Sequence, residues 1–306
     1  MCTTANNREI IEPRIIQLVR ELTAAPATDE VADALKPVME QDVDQAASSQ
    51  GGKRLRALLA LDAFDILAGD VTPDRRDAMI DLACAIEVFQ TAALVHDDII
   101  DESDLRRGRP SAHRALEQAV HSGAIGRGLG LMLGDILATA CIEITRRSAS
   151  RLSNTDALNE AFLTMQREVE IGQVLDLAVE MTPLSDPEAL ANASLNVFRW
   201  KTASYTTIAP LLLALLAAGE SPDQARHCAL AVGRPLGLAF QLADDLLDVV
   251  GSSRNTGKPV GGDIREGKRT VLLADALSAA DTADKADLIA IFEADCRNDD
   301  QVARTI

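Results

Sequence analysis

Two short acidic clusters carry the strongest chemical signal in this sequence. Asp97-Asp98-Ile99-Ile100-Asp101 and Asp244-Asp245-Leu246-Leu247-Asp248 share a DDxxD spacing, and a Phe-Gln pair precedes each, Phe89-Gln90 and Phe240-Gln241. On a helix at about 100° per residue, Asp101 lies about 40° from Asp97 and Asp98 about 100° from it. All three carboxylates of a cluster therefore share one side of the last turns. Like charges so close repel, and the negative end of the helix dipole disfavours them further. Such oxygen-rich ends suit a hard divalent cation. Mg²⁺ in particular takes one or two carboxylates, keeps some waters and binds substrate phosphates. Two such clusters facing each other would hold a diphosphate between metal ions.

Basic residues lie beside the acidic ones. Gly51-Gly52-Lys53-Arg54-Leu55-Arg56 places flexible glycines and bases at the start of a helix, a natural anion site. Arg106-Arg107-Gly108-Arg109 follows the first cluster at once. Lys201-Thr202 interrupts an apolar helical segment, and Lys258 and Gly267-Lys268-Arg269-Thr270 follow the second cluster.

In this order the motifs closely resemble those of the trans-prenyltransferases, the isoprenyl diphosphate synthases that couple prenyl units head to tail. The resemblance runs from Gly51 to Thr270. It implies an all-α fold around a large central cavity, a homodimer, and Mg²⁺ as cofactor with three ions per active site. It further implies that Asp97 and Asp101 bind metal with Asp98 beside them, and that Asp244 does so with Asp245 and Asp248 in support. Lys53, Arg56, Gln90 and Arg107 match the isopentenyl diphosphate pocket. Arg106, Lys201, Lys258 and Lys268 match ligands of the allylic diphosphate, with Thr202 and Gln241 beside its reacting carbon. Many members continue with further helices and a basic tail, whereas only 36 residues follow Thr270. Residues 1–306 are thus expected to form one helical domain that lacks some of those C-terminal helices.

The implied reaction is condensation of isopentenyl diphosphate with an allylic diphosphate to a short all-trans prenyl diphosphate. Product length should depend on the residues upstream of Asp97. Ala92 and Ala93, one turn up, are small and do not enforce an early stop. Phe89, two turns up and about 12 Å below Asp97, is either an ordinary core residue or a floor that stops the chain near C20, as geranylgeranyl diphosphate. Farnesyl or longer-chain synthesis, or a non-catalytic subunit that regulates another prenyltransferase, are the rival expectations. His96 adjoins Asp97 but points about 100° away on the helix, so it reads as structural rather than as a base.

Helices must position these groups. Residues 54–67, 80–100, 129–147, 158–179, 188–218 and 226–250 are rich in helix formers, with apolar residues three and four apart. Alternating strand patterns are nearly absent, and no proline- or serine-rich linker divides the chain. The expected architecture is therefore all-α in a single domain. A net charge of −17 argues against a partner that is nucleic acid or an anionic membrane. With aromatic residues at 3%, a β-sandwich or a base-stacking platform is equally unexpected. Five scattered cysteines, without a CxxC, fit a reducing cytoplasm. The N-terminus is polar, and the longest apolar run, 211–218, is far short of the roughly 20 residues that span a bilayer, so no stable membrane insertion is expected.

Overall fold

The computed structural model describes residues 4–23, 52–251, 260–294 and 296–306. Gly51 and Lys258, both picked out from the sequence, lie outside the described residues. The chain is all-α apart from one two-residue-per-strand ribbon, Leu105–Arg106 with Arg109–Pro110. Its contacts group into two compact units. One comprises 1–164 and 209–229, the other 165–208 and 230–306.

In the first unit the helix Pro73–Ile100 is the centre. Pro73 at its first turn and a bond from Arg75 N to Thr72 Oγ1 start it seven residues earlier than the apolar periodicity suggests. Its middle, from Ala78 to Phe89, is buried without a break. It packs most extensively on the helix Gly123–Ala149. The sequence reading starts that helix only at Leu129, after the closely spaced Gly123, Gly126 and Gly128. Packing of the glycines accounts for the earlier start. Gly126, Gly130 and Gly134 stand four apart and so form one stripe. A methyl group on Gly126 would collide with the backbone of Glu117, and one on Gly134 with the ring of His96. On Gly130 it would lie 2.9 Å from His113 Cβ. The stripe lets the short helix Ala112–Val120 and the last turns of Pro73–Ile100 approach closely. Tertiary packing here overrides weak helix propensity.

In the second unit, Pro187–Val197, Val271–Ala279 and Thr282–Phe292 enclose a core of Leu190, Val197, Phe198, Leu273, Leu277 and Phe292. The stretch read from sequence as one helix over 188–218 has three parts. Pro187–Val197 and Ala209–Ala218 are α-helical, and Phe198–Ile208 between them is π-helical. Pro210 supplies a reason. It has no N–H for the Thr206 carbonyl, and its ring crowds that carbonyl, so an α-turn ending there is disfavoured. Segments of i→i+5 bonding are uncommon and concentrate at functional sites.

Three helical stretches, Pro73–Ile100, Gly123–Ala149 and Pro187–Ala218, are long and apolar enough to cross a bilayer by length and composition. Counting uninterrupted apolar residues missed them, because single polar residues such as Glu87 and Gln90 break the runs. In Pro73–Ile100 the apolar surface is already used, since 78% of the most apolar window is buried inside the protein.

Exposed Gly128, with nothing near its missing side chain, is the control for the buried stripe. Gly126→Ala should lower stability by about 1–3 kcal/mol through overpacking. Gly128→Ala should raise it by about 0.5–1 kcal/mol through backbone entropy. Thermal unfolding of the two variants checks the contrast. Equal shifts would remove the close-approach role.

Candidate active site

The first acidic cluster ends Pro73–Ile100. Asp101 N donates to Asp97 O, and Ser103 N donates to Asp98 O at 2.9 Å with Glu102 in the left-handed region at φ 51°. This is a Schellman-type stop built on glutamate instead of glycine. The chain then turns back at Arg107 and Gly108, both with positive φ, between the two ribbon strands. That turn carries Arg106 onto the cluster. Arg106 Nε donates to Asp98 Oδ1 at 2.9 Å, a second bond joins Arg106 Nη2 to the same carboxylate, and Asp97 Oδ2 lies 3.9 Å from that nitrogen.

Asp98 is 2% exposed, and its carboxylate is engaged by Arg106. Burial raises the Asp98 pKa, and Arg106 opposes the shift. Asp97 and Asp101 remain half-buried at the helix end. His96 packs against Gly134, with Nε2 3.2 Å from Leu131 O and 3.5 Å from Asp135 Oδ1.

A basic corner lies in the same unit. Arg54, with φ 52°, precedes the helix Leu55–Leu67. It is buried and donates to Glu12 at 2.8 Å, with Glu87 3.5 Å away. Glu87, on the central helix and 1% exposed, also accepts from Ala57 N at 3.1 Å and so caps Leu55–Leu67. Sequence reasoning missed Arg54, Glu87 and Glu12 as a unit. A Glu in the apolar run 78–89 was the available signal, because a buried carboxylate needs a partner. This anchor sets out Lys53, exposed, and Arg56, buried. Arg107 lies against Gly52, whose missing Cβ position is 3.1 Å from Arg107 Nη1. Desolvation, then the charges of Arg54 and Arg106, lower the Arg107 pKa, as in a site that favours an anion. Gln90 is half-buried, two turns below Asp97 on the same helix. Phe89 is 1% exposed and Ala92 is buried, whereas Ala93 is half-buried.

The second cluster ends the helix Pro222–Val250 in the other unit. Thr202 Oγ1 donates to Gln241 Oε1 at 2.7 Å, and Gln241 Nε2 donates to Asp245 Oδ1 at 2.7 Å. The relay fixes the glutamine amide. An ionised Asp245 only accepts, so the NH₂ must face it and the carbonyl must face Thr202. Thr202 then spends its proton on Gln241 and retains its oxygen lone pairs. Asp248 accepts from Gly262 N at 3.2 Å and Asp263 N at 3.0 Å, at the start of Gly262–Glu266. Asp245 and Asp248 are thus also tied to the protein, whereas Asp244 is exposed. Burial pushes Asp245 up to about 6, and it pushes Asp263 up to about 7 against the opposing charge of Lys268. Lys268 Nζ pairs with Glu266 at 2.8 Å. Lys201, on the π-helical segment, donates to Asp176 at 2.6 Å.

Among the described residues no three His, Cys, Asp or Glu side chains converge as a ready-made metal cage. The donors still suit a hard cation that brings waters and phosphate oxygens. They are all oxygens, and buried Asp245 Oδ2 has no hydrogen-bond partner.

Removing Arg106 isolates a buried charge. Arg106→Ala should cost about 3 kcal/mol at neutral pH. The folded-state pKa of Asp98, already raised, would rise further, and stability held below it is lost as pH climbs through it. The deficit relative to wild type should therefore shrink from pH 8 to pH 5. Urea unfolding across that range checks it, and a pH-independent deficit would contradict the pairing.

Comparison with known proteins places these features in context. The sequence profile of the polyprenyl synthetase family matches residues 36–306. A short chain isoprenyl diphosphate synthase of Methanothermobacter thermautotrophicus is 31% identical over 270 residues, 87% of this chain and 76% of that protein. An octaprenyl diphosphate synthase of Escherichia coli is 32% identical over 229 residues, 75% of this chain and 63% of that protein. The crystal structure of a geranylgeranyl pyrophosphate synthase from Corynebacterium glutamicum, complexed with isoprenyl diphosphate and magnesium, superposes with a TM-score of 0.76 at 33% identity, covering 97% of this chain and 84% of that one. With a profile match over most of its length and acidic clusters, lysine and threonine set in helices as described, this chain belongs to the polyprenyl synthetase family.

Proposed function

We propose that the protein is a Mg²⁺-dependent prenyltransferase. It condenses isopentenyl diphosphate with an allylic diphosphate, head to tail, and its main product is geranylgeranyl diphosphate. The observation that carries the reading is the Thr202–Gln241–Asp245 relay, which ends on oxygen lone pairs beside Lys201. Such a relay suits a reaction that builds positive charge on carbon while a diphosphate leaves. The named relatives, a short-chain and a geranylgeranyl synthase among them, support the product class.

Asp97, Asp101 and Asp244 would hold the ions, three per site, with Asp245 Oδ2 as a further donor. Bound Mg²⁺ supplies charge neutralisation of the leaving diphosphate. Lys201, Lys258 and Lys268 bind the allylic diphosphate and stabilise the negative charge that develops on it. Arg106 acts one step back, by holding Asp98 and the end of the helix. Lys53, Arg56, Gln90 and Arg107 fix isopentenyl diphosphate, so that its double bond meets the allylic carbon as in an intramolecular reaction. Thr202 Oγ and the Gln241 carbonyl face the developing cation. The last proton passes to the departing diphosphate, because His96 is occupied by packing. The working form is a cytoplasmic homodimer of single helical domains.

One assay tests the reading. Purified protein is given isopentenyl diphosphate, Mg²⁺ and dimethylallyl, geranyl or farnesyl diphosphate, and products are separated by chain length. A dominant C20 product is expected, and no condensation with any starter would overturn the proposal. Asp97→Ala and Asp244→Ala should each lower kcat by about 10²-fold or more with little change in thermal stability.

Chain length has its own test. A tail that reaches Phe89 must displace packed neighbours, so Phe89→Ala should extend the products beyond C20. An unchanged length distribution would return Phe89 to the core.

A further inference from the structure

Lys201 is held from outside its own segment. The helix Thr155–Val179 presents Glu168, Gly172 and Asp176 four residues apart, and so on one face. Each of the three meets the π-helical segment. Ser204 Oγ donates to Glu168 Oε2 at 2.7 Å. A methyl group on Gly172 would collide with the Lys201 backbone, so only glycine lets the two helices come this close. Asp176 Oδ2 accepts from Lys201 Nζ at 2.6 Å. One face therefore fixes the rotation of the segment at Ser204, its approach at the Lys201 backbone, and the direction of the Lys201 side chain.

The last of these contacts has a consequence for chemistry. A lysine is a point charge on a flexible four-carbon stem, and its aim is lost unless something holds it. The two side chains are 25% and 32% exposed, so the pair is reachable by solvent and by an incoming anion. Asp176 lies outside both acidic clusters and every basic motif, yet its charge reaches Asp245 and helps to raise that residue's pKa.

We propose that Asp176 is a positioning residue that acts through Lys201. It holds the ammonium in the direction from which it meets a diphosphate, and it competes with that diphosphate for the same charge. The identity of the anion rests on the prenyl-transfer reading; the pairing itself does not. This role makes opposite demands on binding and turnover. Without the Asp176 charge, ground-state attraction of a diphosphate to Lys201 increases, while the aim needed in the transition state is lost.

A double-mutant cycle on the full chain tests it. Asp176→Asn, Lys201→Ala and the pair are compared for steady-state kinetics and for binding of inorganic diphosphate with Mg²⁺ by calorimetry. Asp176→Asn should lower kcat by about tenfold or more without raising KM for the allylic substrate. It should tighten diphosphate binding roughly two- to fivefold, the scale of a partly exposed ion pair. In the Lys201→Ala background the same substitution should change neither quantity. Asp176→Glu should restore part of kcat, and it also serves if the asparagine variant unfolds. Equal effects of Asp176→Asn with and without Lys201 would overturn the proposal, as would weaker diphosphate binding in the single variant. If wild type binds diphosphate but makes no prenyl product, the enzyme reading falls and the binding cycle still decides the role of Asp176. If wild type binds no diphosphate, both fall.

Discussion

Carboxylates crowded at the C-terminal end of a helix are unfavourable, because they repel one another and face the negative end of the helix dipole. The two acidic clusters accept this cost in the same way. In each, the second aspartate turns inward and is tied to a protein group, Asp98 to Arg106 and Asp245 to Gln241. The inward residues are 2% and 4% exposed, so each bond is made where a bare charge would be expensive. The first aspartates, Asp97 and Asp244, stay nearer solvent. The aspartates of a DDxxD motif thus differ in burial and in what they bond. Its helical periodicity alone does not distinguish them.

Close approach is the second recurrent device. Gly126, Gly130 and Gly134 admit the elements around the first cluster, and Gly172 admits the backbone of Lys201. Gly237 does the same opposite Ala203 on the other helix beside the π-helical segment. Small residues at four-residue spacing let backbones approach until side-chain hydrogen bonds can reach across. Thr207 Oγ1 to Gly233 O, at 2.6 Å, is one such bond. The site depends on these contacts because its polar groups are short: threonine, aspartate and glutamine reach only when the helices are close.

Helix content and the two acidic clusters were readable from spacing, since a 3.6-residue repeat and a DDxxD pattern need only neighbours along the chain. The limits fell where distant residues decide. Gly123–Gly128 fell outside the expected helix because propensity knows nothing of the helix against which it packs. The π-helical register of Phe198–Ile208 was hidden, because an α- and a π-helix draw on the same residues and differ in which carbonyl each N–H meets. Arg54, Glu12 and Glu87 are separated by 42 and 33 residues, and no motif links them.

The composition and order of residues settled that this chain would be helical, that it would gather oxygen donors and cations, and which family it would resemble. Those properties follow from local periodicity and from residue type. Tertiary structure decided which aspartates of each cluster are bonded to protein groups, that Arg106 is a partner of Asp98, and that Lys201 pairs with Asp176. The reason is the short range of hydrogen bonds. An interaction that acts only near 3 Å is specified by where the chain folds back, and residues 25 positions apart meet only after it has done so.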